Sequence, residues 1–254
     1  MYFDDQGFPH FDARHVDGEA KVGVDTLEII DSPLVQAQVI LSTHSPVFAD
    51  LRRFEALRLV RREPGQMAAV AAIDKREDVT HLRDQRDRHK LHTFTSARSE
   101  LLFARRVLLV KEPGDVAAAS LCATGLGLDP DAEDLSIVEC GGKNAIPFVA
   151  SVCRALGIPY CVLHDEDVWP VPEDPGRASR VQSENETAKR LNGEIAQAAA
   201  DSAGLFLMCP SLEGELGISR HAKEKPRLVA ERLTAVPRDQ WPSALTRAVQ
   251  SLWG

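Results

Sequence analysis

The 254-residue chain has no apolar run approaching the roughly 20 residues that a membrane-spanning helix needs. Its start, MYFDDQGFPHFD, lacks the basic residues and the apolar stretch of a secretory signal. Together these absences predict a cytoplasmic protein without membrane contact. No Cys-x-x-Cys occurs. The five cysteines (Cys122, Cys140, Cys153, Cys161, Cys209) stand singly, and an odd number cannot all pair. This argues against a zinc ribbon or a redox dithiol, and cysteines inside apolar stretches read as small hydrophobes. Internal repeats and low-complexity tracts are missing too. Positive charge is in deficit: 30 Lys+Arg against 38 Asp+Glu give a formal net charge of −8. General electrostatic attraction to nucleic acid is therefore a poor explanation for this chain, although a metal-neutralised acidic site is not excluded. Basic residues gather at 52–62, 83–90 and 220–227, and each run taken alone reads as a solvated face.

What is there, 44% hydrophobic and 27% charged, is the composition of a globular domain. Residues 1–35 show no clean periodicity. QVILST (38–43) reads as a buried strand ended by Ser-Thr-His-Ser-Pro at 42–46. ALRLVRRE (56–63) and AAVAAI (68–73) are further strand candidates, with Pro64-Gly65 as the turn between them. The charged stretch 78–90 reads as a helical connector and Ser96–Arg106 as a short helix. From there the pattern is regular. VLLV (107–110), LSIVEC (135–140), YCVLH (160–164) and LFLMC (205–209) are continuous apolar strands. Helical stretches at 116–125, 144–156 and 184–201 separate them, 170–180 reads as a Pro/Asp/Gly loop, and 226–234 and 242–253 read as C-terminal helices. Apolar strands alternating with helices predict a mainly parallel sheet covered on both faces.

In such sheets sites form beyond the carboxyl ends of the strands. The residues there are Lys111-Glu112-Pro113-Gly114-Asp115, then Gly141-Gly142-Lys143, then Asp165-Glu166-Asp167, then Ser211-Leu212-Glu213-Gly214-Glu215. Three of the four ends deliver carboxylates, which repel one another unless a hard cation joins them. Oxygen donors suit Mg²⁺ or Mn²⁺. A lone Asp-x-Asp would be only a solvated loop. With Glu112, Asp115 and Glu213 at neighbouring ends, a metal site is the better reading.

The order of these pieces resembles the TOPRIM domain. SARSELLFARRVLLVKEPGD (96–115), IVECGGKNAIPFV (137–149), LGIPYCVLHDED (156–167), LEGELG (212–217) and Lys-Glu-Lys-Pro (223–226) narrow the resemblance to the OLD (overcoming lysogenization defect) family, in which an ABC-type ATPase is joined to a C-terminal TOPRIM nuclease. The Thr43-His44-Ser45 segment resembles the switch histidine of such ATPases, but no Gly-x-x-x-x-Gly-Lys-Ser/Thr precedes it. The resemblance implies an α/β fold of TOPRIM type, Rossmann-like, with a mainly parallel sheet flanked by helices and a small helical C-terminal extension. It divides the chain into an ATPase remnant (1–77), a helical connector (78–97), a TOPRIM core (98–222) and the extension (223–254). The implied function is metal-dependent cleavage of DNA. Two Mg²⁺ or Mn²⁺ ions would be held by Glu112, Asp115, Asp165, Asp167, Glu213 and Glu215. Lys223, Lys225 and Glu112 would serve catalysis, and Lys143 would touch DNA phosphate. His44 would contact nucleotide only with a complete ATPase domain, so ATP is not expected to bind this chain alone. A homodimer is left open.

One departure stands out. The family pattern after the first core strand is Glu-Gly-x-x-Glu/Asp, whereas this chain has lysine at 111 and glutamate at 112. Either Glu112 takes over the ligand role one residue late or one metal subsite is broken. The second case favours an alternative, a catalytically impaired TOPRIM scaffold that binds DNA or a partner protein. A primase-like or recombination-mediator-like TOPRIM protein is disfavoured by the lack of zinc-binding cysteines. His164 is expected to be a buried neighbour rather than a ligand, and Trp169 and Trp241 to pack rather than stack on bases.

Overall fold

Four apolar segments pair side by side, all parallel, in the order β6-β5-β7-β8. They are β5 (Arg106–Val110), β6 (Leu135–Glu139), β7 (Tyr160–Asp165) and β8 (Gly204–Met208). The structure is a computed structural model. It describes residues 2–3, 9–10, 42–46, 48–49, 51–62, 65, 67–88, 96–219 and 221–253. The remaining strands form two small antiparallel pairs: β1 (Tyr2–Phe3) with β2 (Pro9–His10), and β3 (Arg58–Arg61) with β4 (Ala69–Ala72). Residues 38–41 of the expected QVILST strand lie outside the described residues, and Ser42 and Thr43 carry no strand.

Side chains of a strand alternate between faces, and the central strands bury both. Val107, Leu109 and Val162 enter one core with α4 (Ile146–Ala155) and the end of α5 (Pro175–Ala198). The same core takes in Leu51, Phe54, Ile73 and Leu82, the last from α1 (Arg76–Arg88). Phe54 meets Phe148 edge to face at 6.0 Å, and Arg61 Nη2 donates to Ala104 O at 2.6 Å, so the N-terminal hairpin region is fastened to the sheet. Leu108, Val110, Cys161 and Leu163 enter the other core. That core is covered by α3 (Pro113–Leu126), α7 (Lys225–Ala235) and α8 (Ser243–Ser251). The helices of the expected C-terminal extension pack on the sheet, where Val229, Leu233, Leu245 and Val249 complete one face.

Several boundaries differ from expectation for local reasons. The stretch Ser96–Arg106 splits into α2 (Ser96–Ser99) and a 3-10 turn at Glu100–Leu102. The predicted 170–180 loop ends early because Pro175 opens α5, where Asp174 Oδ1 accepts the Arg177 N–H at 2.9 Å and caps the first turn. Trp241 packs as expected, its Nε1 donating to Leu233 O at 2.9 Å and its ring lying over Gly125. Among the described residues no helix is long and apolar enough to cross a membrane.

Candidate active site

The chain leaves β5 through α3 to β6 on one side, then returns through α4 to β7 on the other. Connections therefore diverge beyond the carboxyl ends of β5 and β7, the position at which open α/β sheets form a crevice. Lys111 follows β5 and Asp165 ends β7. Asp165 is 2% exposed. Its Oδ1 accepts the Leu212 N–H at 2.9 Å and its Oδ2 accepts from the Lys111 ammonium. Lys111 Nζ also lies 3.4 Å from Glu112 Oε1. Burial pulls the Lys111 ammonium down, but Asp165 and Asp115 outweigh it and hold it above the ordinary lysine range. Asp115, in the first turn of α3 and 7% exposed, accepts the Glu112 N–H at 3.0 Å. Burial, reinforced by the Asp165 charge, pushes its carboxyl up to about 7 against the pull of Lys111. One ammonium thus faces three carboxylates.

The Gly-Gly-Lys turn after β6 is a backbone device. Gly141 (φ +82°) and Gly142 (φ +126°) have conformations that side chains disfavour, and a Cβ on Gly141 would fall 2.2 Å from Arg98 Nη2. Arg98 itself bonds Glu139 O and Glu139 Oε1, a pairing for which the sequence carried no signal. The turn delivers Lys143 inward, where it is 8% exposed. Its Nζ donates to Asp165 O at 2.7 Å, Glu166 O at 3.0 Å and Asp167 Oδ2 at 3.1 Å. An ammonium has three donors and all three are spent. Lys143, expected to touch a DNA phosphate, here braces the Asp-x-Asp turn. Asn192 Nδ2 bonds Glu166 O at 3.0 Å, and His164 Nδ1 lies 2.8 Å from Asp165 O. Burial pushes His164 down to about 4, and the ring is buried beside Asp165.

Beyond β8, Glu213 in α6 (Leu212–Glu215) is 6% exposed and pairs with Lys225 Nζ at 3.0 Å; against burial, its own backbone N–H and Lys225 keep the carboxyl low. Glu215 is exposed, and its Oε1 accepts the Cys209 N–H at 3.0 Å. Lys223 is exposed on the segment that leads into α7, and His44 is exposed in a turn where Ser45 N–H bonds Thr43 Oγ1. The structure thus brings Lys111, Glu112, Asp115, Lys143, Asp165 and Asp167 together, with Glu213 and Lys225 beside them.

Hard oxygen donors suit Mg²⁺ or Mn²⁺ in kind. Asp167 is paired with Lys143 and Glu213 with Lys225. Among the described residues no three His, Cys, Asp or Glu side chains are arranged to hold an ion. Asp165, Asp115 and Glu112 instead gather around the Lys111 ammonium, and they would have to regroup to hold a metal ion.

An all-parallel four-stranded α/β sheet whose strand ends gather acidic residues, with Asp-x-Asp on the central strand, defines a TOPRIM-class domain. Residues 102–167 match the family model described as "Overcoming lysogenization defect protein-like, TOPRIM domain", and the chain accordingly carries an OLD-family TOPRIM domain. Over 219 residues it is 45% identical to the OLD nuclease of Thermus scotoductus, a match that covers 85% of this chain and 41% of that protein. The C-terminal region of the Xanthomonas campestris pv. campestris OLD protein aligns at 18% identity and TM-score 0.41, covering 60% of this chain and 94% of that one. The equivalent region from Burkholderia pseudomallei aligns at 19% identity and TM-score 0.39, covering 59% and 98%.

Proposed function

We propose that this chain is a nuclease portion that hydrolyses DNA phosphodiester bonds at the carboxyl edge of the parallel sheet. The observation that carries the reading is Asp165. It is a buried carboxylate at the switch between β5 and β7, with both oxygens fixed by Leu212 N–H and Lys111. Identity to an OLD nuclease supports the same reading. In the reaction a water oxygen bonds phosphorus, the bond from phosphorus to one sugar oxygen breaks, and that oxygen takes up a proton. Negative charge grows on the phosphoryl oxygens, so fixed cations that face them lower the barrier. Lys225, held by Glu213 with its side chain 34% exposed, is positioned to meet a phosphate at the rim, and the exposed Lys223 adds charge nearby. Lys143, with Asn192, holds the Asp-x-Asp turn in one geometry. A divalent ion would supply Lewis acidity and a more acidic bound water, and holding one would require Asp165, Asp115 and Glu112 to regroup around it.

Residues 42–46, with His44, are in this reading the end of an ATPase domain to which the nuclease is coupled, and the native protein acts in the cytoplasm on DNA. The test is nicking of supercoiled plasmid by the wild-type chain and by Asp165→Asn, whose amide still accepts from Leu212 N–H. The variant should lose at least about 10²-fold in rate, the scale at which removing one electrostatic group acts. Equal rates with a folded variant would remove Asp165 from the chemistry.

A further inference from the structure

We propose that Arg98 is a positioning residue for the strand-end site: from α2 it locks the Gly-Gly turn after β6, and through that turn it fixes Lys143 and the Asp-x-Asp turn. The inference rests on the nuclease reading above and adds a residue that acts on that site from outside it. Three observations carry it. Arg98 reaches the end of β6 with two donors, Nε on Glu139 O at 3.2 Å and Nη2 on Glu139 Oε1 at 3.1 Å. Its guanidinium fills the space beside Gly141, where an added Cβ would collide with Nη2 and Cζ. The turn it contacts has two connections to the site. Gly142 N–H donates to Lys111 O at 2.8 Å, and Lys143 Nζ bonds Asp165 O, Glu166 O and Asp167 Oδ2.

Glycine has the widest backbone freedom of any residue, so two in succession do not hold a turn in one geometry by themselves. A planar guanidinium presents its donors in a fixed fork, and the two bonds to Glu139 set its plane against Gly141. The pair is largely withdrawn from water, with the Arg98 side chain 12% exposed and that of Glu139 24%. Arg98 is itself anchored. The 3-10 turn that follows α2 buries Leu101 and Leu102 in the core that holds Leu51 and Phe54, and Arg61 Nη2 donates to Ala104 O. The N-terminal region thereby seats the segment that carries Arg98, and Arg98 seats the turn that carries Lys143. A lysine at 98 would keep the charge and lose the fork.

The test uses the full chain as wild type, Arg98→Ala and Arg98→Lys, with circular dichroism as the check on folding. The lysine, which keeps the charge and most of the stem, keeps the test open should alanine destabilise the chain. Amide hydrogen exchange at Gly142 should be at least about tenfold faster in both variants, because the turn opens more often. In plasmid nicking, kcat should fall on the order of 10²-fold, the cost of misplaced catalytic groups. KM and DNA affinity should stay within about twofold, since Arg98 bonds protein rather than phosphate. Guanidinium added at a low, non-denaturing concentration should slow Gly142 exchange and raise kcat in Arg98→Ala, and leave Arg98→Lys unchanged. An arginine that only stabilises the fold gives the opposite sign, because guanidinium weakens a destabilised chain further. Unchanged exchange, a loss confined to KM, or no rescue of Arg98→Ala overturns the proposal. Exchange that behaves as expected in a chain that cuts no DNA keeps the positioning role and removes the nuclease.

Discussion

Lys111 and Asp165 form an ion pair across the carboxyl ends of the neighbouring strands β5 and β7, at the point where the connections of the sheet diverge. Both side chains are largely withdrawn from water, at 15% and 3% exposure. Removing one partner leaves the other charged and buried, which costs about 3–5 kcal/mol, whereas removing both costs much less. Asp165→Ala should therefore be strongly destabilised in urea melts, because it also strips the Leu212 N–H of its acceptor. The double variant Lys111→Met/Asp165→Asn should recover at least about 1 kcal/mol relative to Asp165→Asn alone. Strict additivity of the two changes would contradict the buried pair.

Lys143 gives a second prediction, which separates bracing from phosphate contact. Lys143→Met frees Asp165 O, Glu166 O and Asp167 Oδ2 of their shared donor. Misplacing catalytic groups by about 1 Å costs on the order of 10²-fold in rate, so the nicking rate should fall by that order. DNA affinity, read by fluorescence anisotropy, should stay within about twofold, since no ammonium faced the DNA. A large loss of affinity with an unchanged rate would restore the phosphate-contact role.

Gly125 lies under the Trp241 ring, and a Cβ there would fall 2.2 Å from Trp241 Cη2. Gly125→Ala must displace an indole whose Nε1 is bonded to Leu233 O. The expected loss is about 1–3 kcal/mol, the usual cost of overpacking, with a change in tryptophan fluorescence. A helix-interior Gly→Ala that stabilised the chain instead would show that Trp241 does not pack there.

The cysteines test the placement of the strands. Cys122, Cys140, Cys153 and Cys161 are buried and Cys209 is exposed. Burial pushes Cys153 up to about 12 and Cys161 up to about 11. Cys209 is raised as well, by partial burial and then by the negative charges of Glu166 and Glu215. The thiolate is the reactive form. Native protein should therefore take up one iodoacetamide per chain, at Cys209, more slowly than a free cysteine at pH 7. The rate should climb about tenfold per pH unit until the thiol's raised pKa is passed. Mass spectrometry after urea should find all five labelled.

The four parallel strands were legible because runs such as VLLV and YCVLH are apolar throughout, the mark of strands buried on both faces, and their bounds fell within one residue. Helix starts were less so. Pro113 and Pro175 read as turn residues, although proline in the first turn of a helix costs nothing. Which carboxylates lie at the sheet edge could be read from strand order alone. What each one meets could not. Glu215 turning back to Cys209 N–H, Lys143 pointing inward and Leu212 N–H on Asp165 all depend on how loops fold over the edge, which no local spacing encodes.

The most direct measurement is anomalous scattering from a crystal of this chain soaked in Mn²⁺. A strong peak is expected at the carboxyl ends of β5 and β7, held by Asp165 together with Asp115. A peak held by Asp167 or Glu213 instead, or no peak at the carboxyl ends of β5 and β7, would contradict it.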